Sequence, residues 1–296
     1  MAPDLLSPAM DDALAAARAT SGGQNTRVYP SLRDAPGDAF AAAALTVDGV
    51  SARRDDARPG FILMSVAKPF ALALAAERVG AEAVIGMTGM RETGLAFNDP
   101  AAIEAGPAGR TNPMVNPGAI TVASLLTERA LRDGLSAFAG RALDADTAMV
   151  EAIHATNARN RLLAGMLADR GLLGAGVEDA LHLYTYQSCV GVTAADLARM
   201  GAVLAAAGRD PVTGARVVGA EAARLAVDAM ALAGLYEATA GWMGTVGLPA
   251  KSGIAGGLVM VAPGRGAFAA YSPPLDPAGN PVRAQAAARA FASVWV

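Results

Sequence analysis

The chain has 296 residues, 24 Lys+Arg against 27 Asp+Glu for a net charge of −3, and 53% hydrophobic residues at a mean hydropathy of +0.33. That length suits one large domain or two intertwined ones with a sizeable core, and a near-balanced charge with no basic tract argues against nucleic acid as a partner. Much of the apolar content is alanine, and no apolar run approaches the ~20 residues of a membrane-spanning helix, so no membrane partner is expected.

The start, Met1-Ala2-Pro3-Asp4, has neither a basic opening nor a long apolar stretch, so no secretory signal is read there. A single cysteine, Cys189, excludes an intramolecular disulfide, and with the missing signal it sets the expectation of a reducing, cytoplasmic location. Two histidines, His154 and His182, and that one cysteine cannot build a dedicated zinc cluster, so no metal is expected.

In chain order, residues 4–18 show helical spacing ended by Ser21-Gly22-Gly23. Ala39 to Val47 is β-compatible, Asp48-Gly49 is a turn signal, and Val50 to Arg54 reads as the return strand of a hairpin. The hairpin leads through Asp55-Asp56 and Pro59-Gly60 to a helix opened by Ser65, running to Val79 and stopped by Gly80 in the left-handed conformation usual at that place. Residues 81–210 are mainly helical patterns separated by Gly, Pro and Asn turns. Asparagine beside Pro and Gly is ordinarily turn chemistry; Asn116, just before a predicted helix, is the one nominated for ligand contact. One helix is predicted over Ala148 to Arg170, containing Arg159-Asn160, and another over Ala194 to Ala207, stopped by Gly208-Arg209-Asp210-Pro211-Val212-Thr213-Gly214. A helix after Ala220 leads to Gly234-Leu235-Tyr236. Leu248 to Ala262 and Gly266 to Ser272 read as antiparallel strands around Pro263-Gly264, and Val282 to Val296 closes the chain as a helix. Strands near both ends predict an α+β fold: one antiparallel sheet built from residues 1–80 and 211–296, flanked by helices, with an inserted helical domain over 81–210.

Among the 24 basic side chains only Lys68 and Lys251 are lysine. A chain that writes Arg almost everywhere and keeps Lys twice can need there an amine able to be neutral, or a compact point charge. Ser65-x-x-Lys68 puts a hydroxyl and an amine on one helical face, where Lys68 could accept the proton of Ser65 and make it a nucleophile. Met64 and Phe70 flank the pair and favour a desolvated amine. Lys251-Ser252-Gly253 has the form of the Lys-Thr-Gly element that accompanies Ser-x-x-Lys in serine β-lactamases and penicillin-binding proteins.

Phe61 to Phe70, Phe97-Asn98, Asn112 to Ile120, Arg159-Asn160, Tyr184 with Cys189, Asp210 to Gly214, Gly234-Leu235-Tyr236, Gly247 to Gly257 and Tyr271 to Asp276 together resemble the serine-dependent glutaminases, which share the β-lactamase-like fold. The resemblance runs over residues 28–285. It implies an amide hydrolase with Ser65 as nucleophile, Lys68 as its proton acceptor and Tyr236 as the phenol relaying protons to the leaving amine. It also implies Asn116, Asn160 and Tyr184 at the substrate's amino-acid end, the Ser65 and Ile254 amides at the oxyanion, Lys251 in the substrate-binding set, no organic cofactor, and a homodimer or homotetramer. On the residues alone, Tyr184 and Tyr236 read rather as half-buried aromatics with their hydroxyls paired to backbone, and Gly253, Gly256 and Gly257 read evenly as letting backbone approach a ligand or as bulges or tight packing.

One position departs from the pattern. Where the family has a Ser-Glu pair whose Glu meets the α-ammonium of glutamine, this chain has Ala152-Ile153. On a continuous helix Glu151 would point half a turn away from the face of Asn160. The leading expectation is deamidation of L-glutamine. The alternatives are the same chemistry, as hydrolysis or acyl transfer, on a related amide without a free α-ammonium, or a non-catalytic binding protein; a β-lactam hydrolase is disfavoured by the expected compartment. Pro117 stands where the family has Ala.

Overall fold

The computed structural model describes residues 3–55, 60–92 and 94–296. Five antiparallel strands form the main sheet: β1 (Ala41–Thr46), β2 (Ser51–Asp55), β5 (Ala250–Ser252), β6 (Gly257–Ala262) and β7 (Gly266–Tyr271), in the order β2-β1-β7-β6-β5. Both ends of the chain meet at the centre, where β1 pairs with β7 from Ala41 opposite Tyr271 to Thr46 opposite Gly266. The expected hairpin is β1 and β2, with Ala41 opposite Asp55 and Leu45 opposite Ser51. Its expected exit through Asp55-Asp56 and Pro59-Gly60 falls on residues 56–59, outside the described residues. Two short strands the sequence did not announce, β3 (Phe61–Ile62) and β4 (Gly191–Val192), pair separately.

Every residue of β1 and of β6 is buried, because helices cover both faces. On one face Ala42, Ala44, Leu258, Met260 and Phe268 pack against the N-terminal helix (Pro3–Ala19) and the C-terminal helix (Val282–Ala292). On the other, Ala43, Leu45, Val259, Val261 and Ala267 meet the helix Ala194–Ala205, which lies within the segment expected to be helical. A strand covered on both faces reads as a continuous apolar run, and alanine keeps the layers close. Thr193 starts this helix with a capping box, accepting from the Asp196 amide while the Asp196 carboxylate accepts from the Thr193 amide.

The helix carrying Lys68 runs Lys68–Val79 and is preceded by a 3₁₀ turn over Met64–Ala67, so the expected start at Ser65 is tighter than an α-helix. It ends at Gly80, whose φ of 91° is positive as expected, while its ψ of 145° is extended rather than left-handed helical. The predicted helix over 148–170 is two helices, Thr147–Thr156 and Ala158–Ala168, broken at Asn157. The Tyr184 segment belongs to a further helix, Val177–Ser188. Among the described residues no helix is long and apolar enough to cross a membrane.

Gly201 marks a close approach of helix to sheet: a Cβ there would lie 2.7 Å from both Ala267 Cβ and Val259 Cγ2. Gly201→Val therefore overpacks this layer and is expected to cost about 1–3 kcal/mol, read as a lower urea midpoint with unchanged m-value.

Candidate active site

Strand β3 and the 3₁₀ turn bring Ser65 to the end of strand β5. Met64, immediately before it, sits at φ 48°, a left-handed conformation that side chains rarely adopt. The backbone of Gly253 runs directly against this turn; a Cβ there would lie 2.9 Å from Leu63 O and 3.2 Å from Ser65 N. For Gly253 this is tight packing of one backbone segment on another. Neither the Ser65 nor the Ile254 amide donates to a backbone acceptor among the described residues, so two unspent donors remain beside one hydroxyl.

Lys68 is fully buried behind Ser65. Its Nζ donates to Met114 O at 3.2 Å and to Asn116 Oδ1 at 2.9 Å, and burial pulls its pKa down to about 7. A neutral amine has two hydrogens, and both are taken by these oxygens, which leaves the lone pair uncommitted. No hydrogen bond joins Lys68 to Ser65 among the described residues. The polarity continues outward: Asn116 Nδ2 donates to Asn160 Oδ1 at 3.0 Å, and Asn160 Nδ2 to Asn157 Oδ1 at 2.6 Å. The chain ends on Asn157 Nδ2, which is buried with no partner.

Tyr236 is the second strained residue, at φ 57°. Buried hydrogen bonds fix the backbone around it. Thr239 Oγ1 accepts from Leu235 N at 2.9 Å and donates to Tyr236 O at 2.7 Å. Lys251 Nζ donates to Gly234 O and to Ser252 O, both at 2.8 Å, and lies 4.1 Å from the centre of the Tyr236 ring. Asn280 Nδ2 donates to Leu235 O at 3.3 Å, and its oxygen accepts from Ser252 Oγ at 2.5 Å. Burial, then the charge of Lys68, holds the Lys251 pKa well below the usual lysine range. Burial pushes the Tyr236 phenol up to about 12, while the nearby Ser65 and Ser252 hydroxyls pull the other way. The phenol oxygen itself has no partner in hydrogen-bond geometry.

A cleft of about 200 Å³ opens over Ser65, lined among others by Asn116, Ile153, Asn160, Tyr184 and Ile254. Tyr236 lines an adjoining pocket of about 180 Å³, and Phe97 borders both. Burial raises the Tyr184 phenol far above its ordinary range. Ser65, Asn116, Asn160, Tyr184 and Ile254 line the cleft, Lys68 lies buried behind it and Tyr236 lines the adjoining pocket. Lys251 has no exposed surface, its amine spent on two carbonyls beneath Tyr236. Ile153 is buried in an apolar cluster with Met64, Met149, Cys189 and Ala255. Glu151 is exposed, and His154 stacks on His182 at 5.9 Å.

The sequence profile described as Glutaminase matches residues 23–295. The chain belongs to the glutaminase family. Among its relatives, glutaminase 2 of Yersinia pestis is 42% identical over 271 residues, 89% of this chain and 80% of that protein. The glutaminase of Brucella canis is 40% identical over 296 residues, covering 98% and 93% of the two chains. A solved structure described as probable glutaminase ybaS superposes with a TM-score of 0.94 at 35% identity, over 97% of this chain and 96% of that one. A probable glutaminase of Bacillus subtilis gives 0.88 at 26% identity, over 99% and 96%. The fold of this family member is accordingly the β-lactamase-like one.

Sequence reasoning missed Asn157, Asn280, Thr239 and the strain at Met64. Asn157 could have been found as the helix breaker that it is; nothing local marks Asn280, which lies 28 residues from Ser252. Asn280→Ala strips partners from two buried groups, Ser252 Oγ and Leu235 O, and is expected to destabilise this glutaminase-family chain by about 1–3 kcal/mol in chemical denaturation.

Proposed function

We propose that this chain is a serine amidohydrolase that converts L-glutamine to glutamate and ammonia through a γ-glutamyl ester on Ser65. The observation that carries the reading is Lys68: a buried amine with a pKa near 7, both of its neutral-form hydrogens tied to carbonyl oxygens, one turn from the Ser65 hydroxyl in the cleft between Asn116 and Ile254.

In the first half of the reaction the Lys68 lone pair takes the Ser65 proton and Oγ attacks the amide carbon. The new C–O bond puts negative charge on the amide oxygen, and the Ser65 and Ile254 amides, unspent in this structure, supply donors for it. Tyr236, whose pKa near 12 keeps it protonated at neutral pH, hands its proton to the nitrogen, and the phenolate is made good by the proton that Lys68 took from Ser65, since the bonded Ser65 oxygen no longer carries one. The C–N bond then breaks and ammonia leaves. In the second half water takes the place of the serine, its proton returns along the same path, and glutamate departs with Ser65 restored. Asn116, Asn160 and Tyr184 hold the amino-acid end. Lys251 acts through Tyr236, whose ring it supports.

Ser65→Ala is expected to abolish ammonia release from L-glutamine and the acyl-enzyme mass. Lys68→Arg keeps a charge but cannot accept a proton and should lose at least ~100-fold in kcat; activity within tenfold of wild type counts against Lys68 as the base.

The pH dependence follows from the same group. Only the neutral amine is a base, so kcat/KM should fall about tenfold per pH unit below the Lys68 pKa of about 7 and level off above it. A flat profile from pH 5 to 8 would rule the assignment out.

A further inference from the structure

We infer that the cleft over Ser65 favours a five-carbon monoamide that carries a carboxylate and no ammonium, so that glutaramate, the glutamine skeleton without its α-amino group, is a better substrate than L-glutamine itself. The inference rests on Ser65 being the acylated residue and concerns which amide reaches it.

L-Glutamine brings a cation into whatever pocket holds its α-carbon, and a desolvated cation needs a counter-charge. Among the described residues, the side chains that line this cleft include no aspartate or glutamate, and the one charged member is a cation, Arg159. The wall beside Asn160 is Ile153, packed into sulfur and hydrocarbon from Met64, Met149, Cys189 and Ala255. Nearby acids are engaged or placed elsewhere. Asp146 accepts from the Met149 amide at the start of the Ile153 helix, Glu178 holds Arg161 at 3.2 Å, and Glu128 holds His182 at 3.0 Å. Glu92 and Glu237 line the adjoining pocket, with the Phe97 ring between it and this one.

The neutral groups point the same way. Each oxygen in the asparagine chain from Lys68 already accepts a hydrogen bond: Asn116 from Lys68, Asn160 from Asn116, Asn157 from Asn160. The group left over at the end is a donor, Asn157 Nδ2, on a lining residue only 6% exposed. Thr185, another lining residue, likewise has a buried hydroxyl without a partner. The unspent Asn157 amide and the arginine suit a carboxylate and not an ammonium, while the Thr185 hydroxyl can serve either. A cleft of about 200 Å³ also favours a compact hydrogen at the α-carbon over a bulky acylated amine.

The test is ammonia release from glutaramate and from L-glutamine by the intact protein at pH 8, with intact mass of Ser65 adducts. A missing counter-charge of this kind is worth roughly 30-fold to several thousandfold, so kcat/KM for glutaramate should exceed that for L-glutamine by at least ~30-fold. Equal rates, or a preference for L-glutamine, overturn the inference and leave the serine amidohydrolase standing. Failure of both amides to release ammonia or to acylate Ser65 overturns both. Ile153→Glu should shift the ratio at least tenfold toward L-glutamine, whereas Ile153→Gln, similar in length and uncharged, should keep the preference for glutaramate; the wild-type ratio decides the matter should either variant fail to fold.

Discussion

The arrangement depends on taking one amine out of water. Lys68 would be charged on any surface, and in the core it meets two carbonyl oxygens and no carboxylate, so desolvation alone sets its pKa. That placement recruits three separated stretches of chain. The 3₁₀ turn at Met64–Ala67 sets Ser65 and Lys68 three residues apart on one side, where a 3₁₀ turn eclipses side chains. The loop that leads into a helix of the helical segment, Asn116–Ser124, supplies Met114 and Asn116; the nine residues of that helix are all buried. The far end of the chain supplies Gly253, close enough to shield the turn from solvent. An arginine could not stand in for Lys68, since its five N–H groups would each need an acceptor and it would stay charged.

A second consequence is strain. Among the described residues, four other than glycine have positive φ, and two of them, Met64 and Tyr236, bracket the site. Such conformations cost about 1–3 kcal/mol each and persist where the surroundings over-determine them. Around Tyr236 those surroundings are visible: Thr239, Lys251 and Asn280 bind the carbonyls or amides of Gly234, Leu235 and Tyr236 in succession. The rigid frame holds the phenol near Ser65 without giving its oxygen a partner. A hydroxyl left unpaired in a buried site is unfavourable for folding and poised for a ligand.

Much of this is legible in the sequence, for identifiable reasons. Periodicity and turn chemistry mark the hairpin, the terminal helices and the glycine-broken strands, because those elements obey local rules. The scarcity of lysine singles out the two amines on composition alone. What escapes is non-local. The strands β3 and β4 have two residues each and exist only because Phe61 meets Val192. A helix predicted as continuous breaks at Asn157, whose φ of −86° and ψ of 29° are non-helical and whose side chain accepts from Asn160; an asparagine whose side chain can bond its neighbours off the helical path competes with the helix itself. Lys251 is legible as special, while its place beneath the Tyr236 ring, bonded to Gly234 O and Ser252 O, is not, because sequence shows that an amine is wanted and not which side of a tyrosine it occupies.

The break at Asn157 also changes how the cleft's charge is decided. On an unbroken helix, a carboxylate at Glu151 would face away from Asn160 simply by angle. With two helices, orientation is set by packing, and a rearranged acid could in principle have returned to the cleft. Instead the turn spends its freedom on asparagine: Asn157 closes a run of donors that begins at Lys68, and Ile153 on the preceding helix seals the space with hydrocarbon. A neutral base and an acid-free pocket are compatible for a physical reason. A carboxylate close to Lys68 would favour its ammonium and raise the pKa that burial lowers. Among the described residues no carboxylate lines the cleft, so none there offsets the lowering that burial gives the Lys68 pKa.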